Sequence, residues 1–151
     1  MSGRGGEGLP PDVIAQKILV PGGAFRMRHE FHSEGEKNRF FFVLNKNPQI
    51  DNVILLVTAT SKIKEHKAKW PPNVLVEIGP FEYQELEVLS IVNCETARAF
   101  QKKDVQRWVS ERKIVPLRPL PKAVLARLRT AIAQCKVLAP VDKQLVLKDE
   151  S

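Results

Sequence analysis

The sequence predicts a mainly β protein with helices, in which a small antiparallel β-barrel or curled sheet is covered by C-terminal helices. Residues 39–44 and 52–61 are rich in β-branched and aromatic side chains and apolar on both faces, which is typical of buried strands. The loop between them, residues 45–51, is dense in turn formers and favours an antiparallel hairpin. Helical periodicity becomes strong only after residue 101.

Composition limits the architecture to one domain. The chain has 151 residues, a net charge of +7 and 43% hydrophobic residues, as in an ordinary globular protein with an acidic partner. We expect residues 1–11 to form a flexible tail, 12–140 the domain and 141–151 a second tail. The longest apolar runs are too short for a membrane span.

The first half of the chain alternates turns and strands. After the paired prolines Pro10 and Pro11, residues 13–18 have weak helical spacing. A break at residues 21–23 precedes residues 24–31, where apolar and polar side chains alternate as in a half-buried strand. The two strands of the predicted hairpin follow.

The second half begins with a basic loop over residues 62–72. Strands are predicted at residues 73–78 and 86–93, with a short strand after a bend at 96–100. Residues 102–112 have the apolar spacing of a helix, 113–117 are extended, and a second helix follows Pro121 to about Lys136.

The two cysteines, Cys94 and Cys135, do not form a disulfide framework, and no Cys/His spacing fits a zinc site. Reduced thiols and a Gly-rich N-terminus without an apolar segment predict a cytoplasmic protein without a signal peptide. Glycine-rich phosphate loops, catalytic serine motifs and metal-binding helices have no counterpart in the sequence.

Arg39 and the pair Thr60–Ser61 form the sharpest candidate site, because a hairpin brings the start of one strand beside the end of the next. A guanidinium binds phosphate through two parallel hydrogen bonds, and a hydroxyl can donate to another phosphate oxygen. The alternative is a solvated strand end that binds nothing.

His29, His32 and His66 are the candidate acid–base residues, since imidazole titrates near neutrality. His29 and His32 are three residues apart in a predicted strand and therefore point to opposite faces, which argues against a shared metal. Each can equally be a surface or core histidine.

Two basic stretches are candidate nucleic-acid surfaces. Lysines can follow a phosphate backbone and an indole can stack on a base, although a tryptophan in such a loop can equally anchor it to the core. The first stretch contains Lys62, Lys64, Lys67, Lys69 and Trp70. The second contains nine basic residues: Lys102, Lys103, Arg107, Arg112, Lys113, Arg118, Lys122, Arg127 and Arg129.

The sequence resembles the MazF/PemK-like toxins over roughly residues 18–140. An arginine opens the second strand of that family, and a threonine followed by a small residue, a polar residue and isoleucine ends the third. The matching segments are residues 39–45, 54–63, the "VEI" strand at 74–78 and residues 89–98, with a terminal helix at about 121–136. Phe40 stands where the family usually has proline.

The resemblance implies a small SH3-like β-barrel that acts as a homodimeric toxin and is silenced by an acidic antitoxin protein. It implies a metal-independent endoribonuclease without a cofactor, in which the ribose 2′-hydroxyl of single-stranded RNA attacks the phosphate. Arg39 matches the catalytic arginine, Thr60 the catalytic threonine, and Ser61 a phosphate or base contact. The alternative function is a non-catalytic SH3-like module that binds RNA or a protein.

A dimer is also suggested by apolar side chains in the two late helices. Val105, Trp108 and Leu128 offer more apolar surface than a small barrel needs, which favours a two-fold interface.

Overall fold

The computed structural model describes residues 8–31 and 35–147, with the side chains of residues 28–31 and 35–38 outside the description. Most of the expected N-terminal tail and the last four residues of the expected C-terminal tail lie outside it as well, since residues 1–7 and 148–151 are not described. The elements in chain order are α1 (Pro11–Ile18), β1 (Ala24–Phe31), β2 (Gly35–Val43), β3 (Val53–Thr60), α2 (Ile63–Lys69), β4 (Leu75–Ile78), β5 (Ser90–Asn93), β6 (Arg98–Gln101), α3 (Lys102–Ser110), β7 (Ile114–Leu117), α4 (Lys122–Gln134) and α5 (Pro140–Leu147).

The strands form one seven-stranded antiparallel sheet in the order β4-β5-β3-β2-β1-β7, which confirms the predicted fold class. β5 pairs with the end of β3 and β6 pairs with its start, so both lie along the same edge of β3. A 3-10 turn at Cys94–Thr96 joins them. Among the described strands β4 and β7 do not pair, so the sheet is open and does not close into a barrel.

The predicted hairpin of β2 and β3 lies at the centre of the sheet. Phe40 pairs with Ala59 and Val43 with Leu56. The buried side chain of Asn45 secures the connecting loop, since its amide donates to Asp51 and to the Val53 carbonyl and its oxygen accepts from the Leu55 N–H. Such a buried amide is stable because all of these groups are paired.

Helices cover both faces of the sheet, which explains why the central strands are apolar throughout. Ile54 and Leu56 of β3 pack in a cluster with α1 and α3, and we call this side the α1/α3 face. Leu55, Val57 and Ala59 pack in a second cluster with α4 and α5, on the α4/α5 face. Alternate residues of a strand point to opposite faces, so two covered faces require an unbroken apolar run.

The structure differs from the sequence-based expectation in several segments. The strand expected to begin at Arg39 begins at Gly35, so Arg39 lies in the middle of β2. Residues 63–69 were expected in a loop but form α2, in keeping with the helix propensity of Lys, Glu and Ala. The expected C-terminal tail contains most of α5, whose Val146 is fully buried. The strand predicted from residue 86 begins only at Ser90, and the buried Leu86 lies in the preceding turns.

Candidate functional site

Arg39 and Thr60 lie side by side on the α1/α3 face, as the hairpin predicted. On this face of β2, the half-buried Arg39 is next to the buried Phe41. On the same face of β3, the buried Leu56 is followed by the half-buried Thr58 and Thr60. Phe41 pairs with Thr58 and Phe40 with Ala59, and continuing this register by one residue puts Arg39 opposite Thr60. The polar residues therefore lie on the same sheet face as the buried apolar ones, farther along the strands.

A pocket of about 160 Å³ opens at this place, and we call it the polar pocket. It gathers side chains from β2, β3, the start of α2, and the end of β5 with its turn. The described residues of its lining carry two permanent cations and a histidine but no carboxylate, and such a lining favours an anionic ligand. The lining residues are Arg39, Thr58, Thr60, Lys62, His66, Asn93 and Thr96.

The hydroxyl of Thr60 is oriented by the backbone that follows it. Its oxygen accepts a hydrogen bond from the Lys62 N–H at 3.3 Å. Because a hydroxyl carries one hydrogen and two acceptor positions, Thr60 keeps its own O–H for donation to a ligand.

Asn93 is the most buried polar residue of the pocket, with 2% of its surface exposed. Its side-chain oxygen accepts from the Glu95 N–H at 3.0 Å, and its amide nitrogen lies 3.2 Å from Nδ1 of His66. Thr96 closes the turn by donating from its hydroxyl to the Asn93 carbonyl at 2.8 Å. Asn93 thus connects the 3-10 turn to the helix that carries His66.

Burial lowers the pKa of His66 below its ordinary value. Glu65 opposes this effect, whereas the positive charges of Lys62, Lys69 and Arg39 lower the pKa further. At neutral pH the imidazole in the polar pocket is therefore mainly uncharged.

The remaining predicted site residues lie outside the polar pocket or outside the described part of the chain. Ser61, Lys64, Lys67 and Lys69 are exposed, and Lys67 forms an ion pair with Glu77. Trp70 is half-buried and packs against the α4/α5 cluster, which agrees with its alternative interpretation as an anchor.

The other two histidines are not placed in the site. His29 lies in β1 opposite Lys37, but its side chain is not described, and His32 lies outside the described residues.

An apolar pocket of about 230 Å³ adjoins the polar one, sharing Thr58 and Thr96 with it. We call it the aromatic pocket. The rings of Phe100 and Trp108 meet edge to face at 5.1 Å, and the Arg98 guanidinium lies 5.4 Å from the Phe100 ring centroid. Its lining residues are Met27, Phe41, Leu56, Thr58, Thr96, Arg98, Phe100 and Trp108.

Sequence patterns did not reveal Thr58, Asn93 or Thr96 as site residues, nor the aromatic pocket. These residues come together because β5 pairs with the end of β3 and β6 pairs with its start. The only sequence signal was an asparagine at the end of an apolar strand, followed by Glu95 and Thr96 as in a capping turn.

Both cysteines are buried and free, as expected from the sequence. Burial raises the pKa of Cys94 far above its ordinary value and that of Cys135 to about 12, so neither is a reactive thiolate. In residues 8–31 and 35–147, no three His, Cys, Asp or Glu side chains gather as metal ligands would. No helix in the same ranges is long and apolar enough to cross a membrane.

The chain thus folds into an open antiparallel sheet that is covered by helices on both faces and carries a pocket lined by Arg39 and Lys62. No protein-family model and no curated protein matches the sequence. A solved MazE–MazF structure from Deinococcus radiodurans matches the fold with a TM-score of 0.50 and 16% identity, over 79% of this chain and 99% of that one. The chain therefore has a MazF-like fold, as the sequence resemblance predicted.

A second solved structure matches a similar share of this chain. An endoribonuclease in complex with its cognate antitoxin from Mycobacterial species matches with a TM-score of 0.48 and 16% identity, over 76% of this chain and 91% of that one.

Proposed function

We propose that this protein is a MazF-like endoribonuclease toxin that cleaves single-stranded RNA without a metal ion. The observation that carries the proposal is that Arg39 and Thr60 line one pocket, whose described lining residues include two cations and no carboxylate. The MazF-like fold supports it. RNA carries its own nucleophile, the 2′-hydroxyl, so the protein has only to position the phosphate and stabilise its developing charge.

The proposed reaction is an internal transesterification. The 2′-oxygen forms a bond to phosphorus, the bond from phosphorus to the 5′-oxygen breaks, and the products are a 2′,3′-cyclic phosphate and a 5′-hydroxyl. The proton lost by the 2′-oxygen passes to solvent, and the leaving 5′-oxygen gains one. Arg39 binds two non-bridging oxygens through its planar fork, and Thr60 donates its hydroxyl hydrogen beside it.

The aromatic pocket supports single-stranded RNA as the substrate. It continues from the polar pocket through Thr58 and Thr96, so a base next to the bound phosphate can enter it. A base can do so only when it is unpaired and unstacked.

A paired substitution tests the role of this pocket. Phe100→Leu removes an aromatic wall and is expected to weaken single-stranded RNA binding by about 1–3 kcal/mol, the usual value for one stacked base. Phe81→Leu is the control, because Phe81 is fully exposed and lines neither pocket. Fluorescence titration with a labelled oligonucleotide measures both, and equal affinities would count against base binding here.

The proposed partners are an acidic antitoxin and a second copy of the chain, acting in the cytoplasm. The net charge of +7 and the cationic pocket favour an acidic partner, and a solved structure of similar fold contains MazE together with MazF. The dimer is not supported by Val105 and Leu128, because both are fully buried within the chain. Sedimentation at micromolar concentration should show a dimer, and a species of 17.1 kDa alone would contradict it.

The decisive experiment incubates purified protein with end-labelled single-stranded RNA in buffer containing EDTA. We expect fragments ending in 2′,3′-cyclic phosphate and 5′-hydroxyl groups, with growth arrest when the protein is expressed. Wild type that binds RNA or an acidic protein but never cuts would instead favour the alternative function, a non-catalytic binding module.

A further inference from the structure

The buried amide of Asn93 has a fixed orientation, and this determines how it meets His66. The Glu95 N–H donates to the side-chain oxygen of Asn93 at 3.0 Å, so the NH₂ group occupies the other end of the amide. That end lies 3.2 Å from Nδ1 of His66. Reversing the amide would place its NH₂ group against the Glu95 N–H, donor against donor.

An amide nitrogen donates and does not accept, so Nδ1 of His66 must be the acceptor in this contact. A neutral imidazole has one N–H, which is then on Nε2. The cationic form would also carry a hydrogen on Nδ1, facing the Asn93 NH₂ group.

The surrounding charges disfavour the cationic form as well. Lys62 precedes α2, Lys69 ends it and Arg39 comes from β2. Among the described residues, Glu65 is the negative charge that opposes them. Asn93, the contact from β5, is uncharged. The low pKa of His66 agrees with the hydrogen-bond geometry.

We propose that His66 is a neutral hydrogen-bond donor in the polar pocket, contacting a phosphate oxygen through Nε2–H, and that Asn93 is the positioning residue that selects this tautomer. The RNA ligand rests on the proposed function, whereas the tautomer and the binding of an anion do not. His66 then adds a third donor beside Arg39 and Thr60. It transfers no proton, so the bonds made and broken in the reaction are unchanged.

The tautomer can be measured without any RNA. In the ¹⁵N spectrum of the labelled protein, the His66 signals, assigned by their loss in His66→Gln, should show Nε2 protonated and Nδ1 unprotonated at neutral pH. In Asn93→Asp a carboxylate replaces the NH₂ group and accepts from Nδ1–H, so the pKa of His66 should rise. A wild-type imidazole that is cationic, or protonated on Nδ1 alone, would overturn the proposal.

Two substitutions test the donor role. His66→Gln keeps an N–H donor and should retain affinity for inorganic phosphate and for 2′-O-methyl RNA within a few-fold, whereas His66→Phe should weaken both. In cleavage, His66→Phe should lose roughly 10²- to 10³-fold, as for removal of one oxyanion donor, and His66→Gln far less. Equal behaviour of the two variants in phosphate binding would refute the donor role, even in a protein that cuts no RNA.

The pH–rate profile separates hydrogen-bond donation from proton transfer. A neutral donor does not titrate near pH 7, so wild type and His66→Gln should have profiles of the same shape. A limb near neutrality that is present in wild type and absent in His66→Gln would make His66 a proton-transfer group and overturn the proposal.

Discussion

At the scale of single residues, Arg39 and Thr60 were predictable and Asn93 was not. The first two belong to neighbouring strands joined by one short loop, so their adjacency follows from the hairpin register alone. Asn93 reaches the site through the pairing of β5 with the end of β3, a contact between segments more than thirty residues apart in the chain. Local patterns carry no information about such a pairing.

Arg39→Lys and Thr60→Ala should separate transition-state stabilisation from binding. Lysine keeps the charge but loses the planar fork, so single-turnover cleavage should fall roughly 10²- to 10³-fold while RNA affinity changes far less. Thr60→Ala should produce a smaller loss, because one hydroxyl is a weaker donor. Arg39 lies in the middle of β2 and Thr60 at the end of β3, and both side chains are only half-buried, so thermal unfolding followed by circular dichroism should be nearly unchanged. Full activity in both variants would show that this site is wrong.

At the scale of elements, α2 is the segment where sequence and structure differ most usefully. Its residues were expected to form a flexible basic loop, but the helix divides them between two environments. Lys62 and His66 line the polar pocket, whereas Lys64, Lys67 and Lys69 remain exposed. A basic composition therefore predicted the charge of this segment but not which of its residues belong to the pocket.

The exposed lysines of α2 remain a predicted RNA contact. Replacing Lys64, Lys67 and Lys69 by alanine should reduce the slope of log affinity against log salt by about 0.7 for each phosphate that the variant no longer neutralises. The matched control replaces Lys103, Lys113 and Lys122, which are also exposed and, like the first set, include one lysine paired with a glutamate. A slope that changes only in the control variant would move the RNA surface to the second basic stretch.

The helix α5 allows a comparison of two valines in one element. Val146 is fully buried, so Val146→Ala should lower the free energy of unfolding by about 1–3 kcal/mol. Val141 is 72% exposed, and Val141→Ala should change it by less than about 0.5 kcal/mol. Urea denaturation measures both. Equal effects would mean that α5 does not pack on the sheet in solution.

At the scale of the whole molecule, the fold class could be predicted from the sequence. When helices cover both faces of a sheet, its strands are apolar along their whole length, and this pattern is visible in the sequence. The openness of the sheet did not follow, since closure depends on whether two four-residue edge strands meet. Helix α5 was missed for a related reason. Its buried contacts depend on where α4 places it, and its own sequence is only weakly periodic.

Glu95 connects the polar pocket to the far side of the molecule. Its backbone N–H holds the Asn93 side chain, while its carboxylate accepts from the N–H groups of Lys136, Val137 and Leu138 beyond α4. Burial would raise the pKa of Glu95, but these three hydrogen bonds outweigh it and lower the pKa below its ordinary value. This contribution to stability is therefore present above the unfolded-state pKa and is lost as the pH falls through the folded-state pKa.

Because Glu95 bonds to both Asn93 and the α4–α5 connection, we expect occupancy of the pocket and order in that connection to be thermodynamically linked. Linkage is reciprocal, so a bound anion that steadies the 3-10 turn should slow hydrogen exchange at the Val137 and Leu138 amides. By the same rule, a protein that clamps the α4–α5 connection would change anion affinity without entering the pocket.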